Sequence, residues 1–242
     1  DKPILMIVNS VYQLVTAIHI RCRLINGQEA ELLLTDVTPQ LEEYLPKLQE
    51  TGLFSRILFA KTHDLNSRYM VGTQEEISEG YCQVNRILQW GLSDELQDYS
   101  QIYFSNYDTF SRMLACRYYY QPCSFICYED GFSTYVIDYL RENRAAVNIH
   151  PDGRKIKDKI EYVLLYEPGL AMRGDNLPNR RLPKIDPKDE NFRELLNFVF
   201  SYTAPEETAD FIFLEQSFRA EGLKTNDLEL MRECEEITGS GR

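Results

Sequence analysis

Tyr128-Glu129-Asp130-Gly131 sets two carboxylates side by side at the end of the apolar run Ser124–Tyr128, a placement suited to proton transfer. Adjacent carboxylates repel each other and lose water at the end of a buried strand, so one of them tends toward a raised pKa. Gly131 permits a sharp turn, and Ser133 or Thr134 can cap a following helix, whose positive end favours the ionised form. A carboxylate that stays ionised yet is poised to accept a proton is what general-base catalysis requires. The plain alternative is an acidic helix N-terminus that serves only as a cap, and spacing alone leaves both open.

Polar residues also follow the other apolar runs: Asn9-Ser10, Thr35-Asp36, Lys61-Thr62 and Ser105-Asn106-Tyr107-Asp108. In an open parallel sheet ligands bind at the carboxyl ends of the strands. A hydroxyl- and amide-rich edge there suits a sugar, although the same residue types also cap helices. The first such turn, Asn9-Ser10-Val11-Tyr12-Gln13, contains no glycine. It cannot let backbone approach a pyrophosphate, so the dinucleotide fingerprint is missing, as is the Walker loop. Cys22, Cys82, Cys116, Cys123, Cys127 and Cys234 form no CxxC pair, and His19, His63 and His150 are far apart. Zinc-ligand spacing is therefore missing, and neither a metal nor a cofactor is expected. The cysteines read as reduced, intracellular core residues, with Cys123 and Cys127 on one face of a strand. His19 and His63 read as structural or exposed, and Tyr118-Tyr119-Tyr120 as partly buried packing rather than a sugar-stacking surface.

The elements that must position these groups alternate in kind. Ile4–Val8 has the continuous apolar character of a strand buried on both faces. Ser10 and Gln13 have capping-box spacing for a helix running to Leu24 and stopping near Asn26-Gly27. Strands are expected at Glu31–Leu34, Arg56–Phe59, Gln101–Phe104, Ser124–Tyr128 and Tyr162–Tyr166. Helices are expected at Thr38–Gln49, Glu75–Trp90, Ser93–Gln97, Thr109–Tyr120, Phe132–Arg144 and Asn191–Ser201, with loop from Lys61 to Thr73. Strand-helix alternation implies right-handed crossovers and a parallel sheet covered on both faces, a Rossmann-like α/β fold.

Charge divides the chain. The 242 residues carry a net −12, which argues against a nucleic-acid partner because phosphate backbones need a concentrated positive surface. From Arg141 to Lys188, however, 11 Lys and Arg face 7 Asp and Glu. This basic band, with Arg154, Lys155, Lys157, Lys159, Arg173, Arg180 and Arg181, suits an anionic acceptor or peripheral contact with the inner membrane leaflet. A solvated linker is the plainer reading. The expected organisation is a Rossmann-like acceptor-binding domain over 1–170 and a linker with a connecting helix over 171–209. The start of an incomplete second α/β domain is expected over 210–242, with a strand at Phe211–Leu214 and a helix at Asn226–Ile237. The 33 residues of that last piece are too few for a core of their own, and apolar surface left open there would suit a homodimer.

Tyr128-Glu129-Asp130-Gly131-Phe132-Ser133-Thr134-Tyr135 resembles the acidic motif of bacterial sialyltransferases in its setting Y-[DE]-D-G-x-[ST]-x-Y. Ile4–Leu14 resembles the first strand and turn of the lipooligosaccharide sialyltransferase and related capsule glycosyltransferase family, keeping Gln13 of its T-P-x-Q turn but not Thr-Pro. Phe211–Gln216 resembles the strand opening that family's second domain. The resemblance implies a GT-B glycosyltransferase that moves sialic acid from CMP-sialic acid to an acceptor sugar hydroxyl with inversion. It implies a cytoplasmic enzyme of capsule or lipooligosaccharide synthesis, acting on an oligosaccharide or glycolipid. Asp130 would be the base and Glu129 the alternate, with Asn9, Ser10, Gln13, Asn106, Asp108, Gly131 and Ser133 at the acceptor. The nucleotide would sit in the carboxy-terminal domain, beside a His-Pro motif expected beyond Arg242; His150-Pro151 is read as a turn, or as its equivalent. A fragment lacking that motif is expected to be inactive alone. Two alternatives stand beside this reading: a GT-B enzyme using another nucleotide sugar, and a non-catalytic sugar-binding module of a polysaccharide assembly complex.

Overall fold

The apolar runs become neighbouring strands in the computed structural model, which describes residues 2–71, 73–140, 155–203 and 232. β1 (Ile4–Val8) is buried along its whole length, as is β2 (Ala30–Thr35). With β3 (Arg56–Ala60), β4 (Gln101–Phe104), β5 (Ser124–Tyr128), β6 (Ile160–Leu165) and β7 (Asn179–Arg181) they form one sheet in the order β3-β2-β1-β4-β5-β6-β7. Every pairing is parallel. The fold is α/β and Rossmann-like, as the alternation predicts.

Period-two alternation divides the strand side chains between two apolar layers. Leu5, Ile7, Leu33, Phe104, Phe125 and Cys127 enter one, and Ile4, Met6, Val8, Leu32, Leu34 and Tyr128 the other. α1 (Val11–Arg23) covers the second layer through Leu14, Ala17 and Ile18. Ser10 caps α1 by accepting the Gln13 N–H, while the Gln13 side chain bonds the N–H of Asn9, one residue earlier than a capping box places it.

Several elements differ from expectation. Thr38–Gln49 divides into a 3₁₀ helix, Pro39–Tyr44, and α2 (Leu45–Thr51), because Pro46 has no N–H to continue a single helix. Lys61–Thr73 contains α3 (His63–Val71) rather than loop. Its start is capped from a distance: Asp36 Oδ1 accepts the N–H groups of Thr62 and His63 at 2.6 and 2.8 Å. Glu75–Trp90 is two helices, α4 (Gln74–Cys82) and α5 (Val84–Gly91). Ser93–Gln97 is irregular, its polar groups bonded instead to Phe59, Arg56 and Glu31. α6 (Thr109–Arg117) ends three residues early. Of the helix expected over Phe132–Arg144, the described residues up to Leu140 form only α7 (Ser133–Val136), since the carbonyls of Thr134 and Tyr135 bond outward to Arg173 and the Met172 N–H.

After α8 (Lys155–Lys159), the described part of the segment expected as linker supplies β7 and α9 (Glu190–Val199). Residues 1–202 cluster as one compact unit, so this stretch belongs with the sheet. The strand and helix expected after residue 209, His150-Pro151, Arg154 and Cys234 lie outside the described residues. Cys123 and Cys127 are buried in one layer, but Cys82 is exposed and Cys22 and Cys116 are half-buried. Tyr118 is buried whereas Tyr120 is exposed. Arg173, Arg180 and Arg181 of the basic band pair with Asp175, Glu161 and Glu167. Among the described residues no helix is long and apolar enough to cross a membrane.

At the amino edge of the sheet, opposite the polar edge, Glu31 is buried and takes a two-pronged contact from Arg56 at 3.0 and 2.8 Å. Gln97 and Tyr99 donate to the same carboxylate at 2.7 and 2.6 Å. Removing the cation leaves a buried charge short of its partner. Arg56→Met is expected to cost about 3 kcal/mol, the lower end for a broken buried pair because Tyr99 and Gln97 still donate. Urea denaturation of both proteins measures it.

Candidate active site

Strand order reverses between β1 and β4, since β2 and β3 lie to one side of β1 while β4 to β7 extend to the other. Connections diverging at that point leave a crevice at the carboxyl edge. The residues directly after β1, β4 and β5 meet there.

Asn9, after β1, is almost fully buried and spends its polar groups on the protein. Its carboxamide oxygen accepts from Thr35 Oγ1 at 2.7 Å, its N–H donates to Gln13 Oε1 at 2.8 Å, and its carbonyl accepts from Thr38 Oγ1 at 2.7 Å. Its Nδ2 donates to Asp108 Oδ2 at 3.4 Å. Asp108 in turn caps α6, accepting the Ser111 N–H at 2.9 Å, and takes a further bond from Asn66 Nδ2 at 3.0 Å. Burial pushes the Asp108 carboxyl up, against the pull of these donors and of nearby Arg112. Gln13 is buried and donates to Asn106 Oδ1 at 2.5 Å. Asn9, Ser10, Gln13 and Asp108 thus form a bonded floor rather than an open lining.

The two carboxylates of the acidic tetrad have different surroundings. Glu129 is 7% exposed and accepts three hydrogen bonds: from Tyr12 Oη at 3.2 Å, from Tyr135 Oη, and from the Tyr166 N–H at 2.8 Å. Tyr135 Oη accepts from the Glu167 N–H at 3.1 Å. Burial first, and then the bond to Glu129, pushes the Tyr135 hydroxyl up to about 12. Glu129 is therefore an acceptor engaged by three donors, which ties α1, α7 and the end of β6 together.

Asp130 is partly exposed, and its N–H donates to Thr134 Oγ1 at 2.9 Å. Thr134 thus holds the turn instead of capping a helix, and α7 begins after Phe132 with no side-chain cap. Gly131 adopts φ +78°, the left-handed turn its position suggested. Burial raises the Asp130 carboxyl above the usual aspartate range, and the nearby Gln13 amide opposes it. No ion pair to Asp130 occurs among the described residues. Asp130, Asn106 and Ser133 border a cleft of about 70 Å³ with Ser105, Thr134 and Arg173. One wall is the stacked pair Tyr107 and Tyr139, with ring centroids 5.5 Å apart.

Two contributors, Arg112 and Asn66, are absent from the sequence reading, and a third, Arg173, entered it only through the basic band. Arg173 is pinned by Asp175, Asn179 and the Thr134 carbonyl, at 2.8, 2.6 and 2.8 Å. Arg112 reaches the carbonyls of Tyr107 and Tyr139 at 2.9 and 3.4 Å and so fixes the aromatic wall. Asn66 joins α3 to Asp108 and bonds the Phe110 N–H. Tyr135 had a sequence signal, as the final Tyr of the acidic motif; Asn66 had none while its helix read as loop. Among the described residues no group of three or more His, Cys, Asp or Glu is placed to hold a metal ion.

The raised Asp130 carboxyl carries a stability consequence. A group whose folded pKa lies above its unfolded value contributes stability below the unfolded value, near 3.9, and loses it as pH rises through the folded one. Asp130→Asn has no charge to bury, so it is expected to have the higher Tm at neutral pH, with the difference vanishing in acid. Thermal melts of both proteins between pH 3 and 8 measure this.

Compared with known proteins, the chain matches no protein-family model and no curated sequence.

Proposed function

We propose that the protein is a glycosyltransferase of the sialyltransferase type, with Asp130 as the base that deprotonates an acceptor sugar hydroxyl. The observation that supports this reading is the Asp130 carboxylate at the crevice edge: half-buried, bordering the cleft with Asn106 and Ser133, and without an ion pair among the described residues. A carboxyl raised in this way is a stronger base than an ordinary aspartate.

In the proposed reaction the acceptor oxygen attacks the anomeric carbon of sialic acid as its proton passes to Asp130. The bond to the CMP phosphate oxygen breaks, the electron pair leaves with CMP, and attack opposite the leaving group inverts the centre. Asn106 and Ser133 orient the acceptor hydroxyls, while Gly131 keeps the turn clear of side chain. Glu129 is a positioning residue: held by Tyr12 and Tyr135, it fixes the backbone that aims its neighbour. Neutralising the departing phosphate belongs, in this reading, to the carboxy-terminal part of a GT-B enzyme. The acceptor is an oligosaccharide or glycolipid of the bacterial surface, reached from the cytoplasm.

With CMP-sialic acid and galactose-terminated acceptors, Asp130→Ala is expected to lower kcat/KM by about 10²–10⁴, equivalent to about 2.7–5.5 kcal/mol of barrier. The rate should fall on the acid side as Asp130 takes up its proton, at a pH above the ordinary aspartate value of about 3.9. Unchanged turnover in Asp130→Ala removes it as the base. Transfer from a different nucleotide sugar changes the donor, and saccharide binding without transfer across a donor panel makes the protein a binding module.

A further inference from the structure

Trp90 is the only tryptophan of the chain, and it is 68% exposed at the end of α5. An exposed indole held at a fixed position offers a large flat apolar face that a ligand can cover. Its position is fixed by backbone. The Lys61 N–H donates to the Gly91 carbonyl at 2.7 Å, Leu92 bridges Ala60, and Ser93 bonds Phe59 through both its N–H and its hydroxyl. A side chain on Gly91 would lie 2.7 Å from the Lys61 carbonyl, so glycine permits this approach. α5 therefore ends against the carboxyl end of β3, on the same sheet edge as Asp130.

The ring borders a cleft of about 220 Å³ with Lys61, Asp64, Leu65, Arg68 and Ile87. The Arg86 guanidinium lies 5.1 Å from the ring centroid. A flat aromatic surface, an aliphatic base and a few charged groups around it match a sugar ring: C–H groups meet the electron-rich face and hydroxyls meet Lys61 and Asp64. A protein partner would want a broader apolar surface than one indole ringed by charges. Helix α3 joins this cleft to the candidate active site, since Asp64 and Leu65 line it while Asn66 bonds Asp108. β3 stands four strands from β5, roughly 19 Å at ~4.8 Å per step. A single sugar cannot cover that distance, but an oligosaccharide can.

We infer that the Trp90 cleft is a distal saccharide subsite, which stacks an inner sugar of an extended acceptor whose terminal sugar lies at Asp130. The inference rests on reading the Asp130 edge as an acceptor site, but it is tested without transfer. Because Trp90 is the sole indole, its emission reports directly on the cleft. A galactose-terminated tetrasaccharide should change that emission saturably, while free galactose should not. By calorimetry, Trp90→Ala should bind the tetrasaccharide about tenfold more weakly, a loss of about 1.4 kcal/mol, and Trp90→Phe should recover most of it. Full tetrasaccharide affinity in Trp90→Ala, or an emission unmoved by the tetrasaccharide, overturns the subsite. Emission that follows protein concentration alone, with dimers in sedimentation, assigns the ring to a second copy and also overturns it. If no donor supports transfer, the proposed reaction fails while the emission titration still decides this subsite.

Discussion

A parallel sheet whose strand order reverses between β1 and β4 has its crossovers diverge there, which leaves a crevice at the carboxyl edge. The backbone ends exposed there need partners, and the chain supplies them as side chains rather than as glycine-rich backbone. Asn9, Gln13, Thr35, Asn106 and Asp108 bond one another across β1, β2 and β4. That bonded layer sets the depth of the crevice and leaves Asp130 as the acidic group above it. The chemistry proposed for the protein depends on this floor being complete, since an unfilled floor would admit water and relax the desolvation that raises Asp130.

Two neighbouring carboxylates could have shared one proton, and the fold instead separates their roles. Successive residues leaving a strand point in opposite directions. Glu129 turns in to two tyrosine hydroxyls and a backbone N–H, and Asp130 turns to the cleft. The pair is thereby relieved of mutual repulsion as the source of the Asp130 shift; burial supplies it instead.

The strands were legible because burial on both faces writes continuous apolar runs, and β4 and β5 fall on the residues their sequence indicates. α3 was not legible because its cap, Asp36, comes from another strand end, which no local pattern records. α7 was overread for the converse reason: a helical pattern from Phe132 onward is cut short when Arg173 and Met172 claim its carbonyls. Polarity at strand ends picked out the carboxyl edge of the sheet. It did not separate Asn9 and Asp108, spent on internal bonds, from Asn106 and Asp130, which face the cleft, since that distinction is made by packing rather than by residue type.

The outermost strands differ from the interior ones in a way that bears on association. β7 is three residues long and carries two arginines, each engaged with a carboxylate of the same unit. Beside β3, Leu92 makes an antiparallel bridge to Ala60, and Ser93 occupies the donor and acceptor of Phe59. Free main-chain hydrogen-bonding groups at a sheet margin invite a foreign strand, and brevity, charge and a local plug each discourage one. Growth of the sheet by annealing another chain is thus disfavoured at either margin of the described unit.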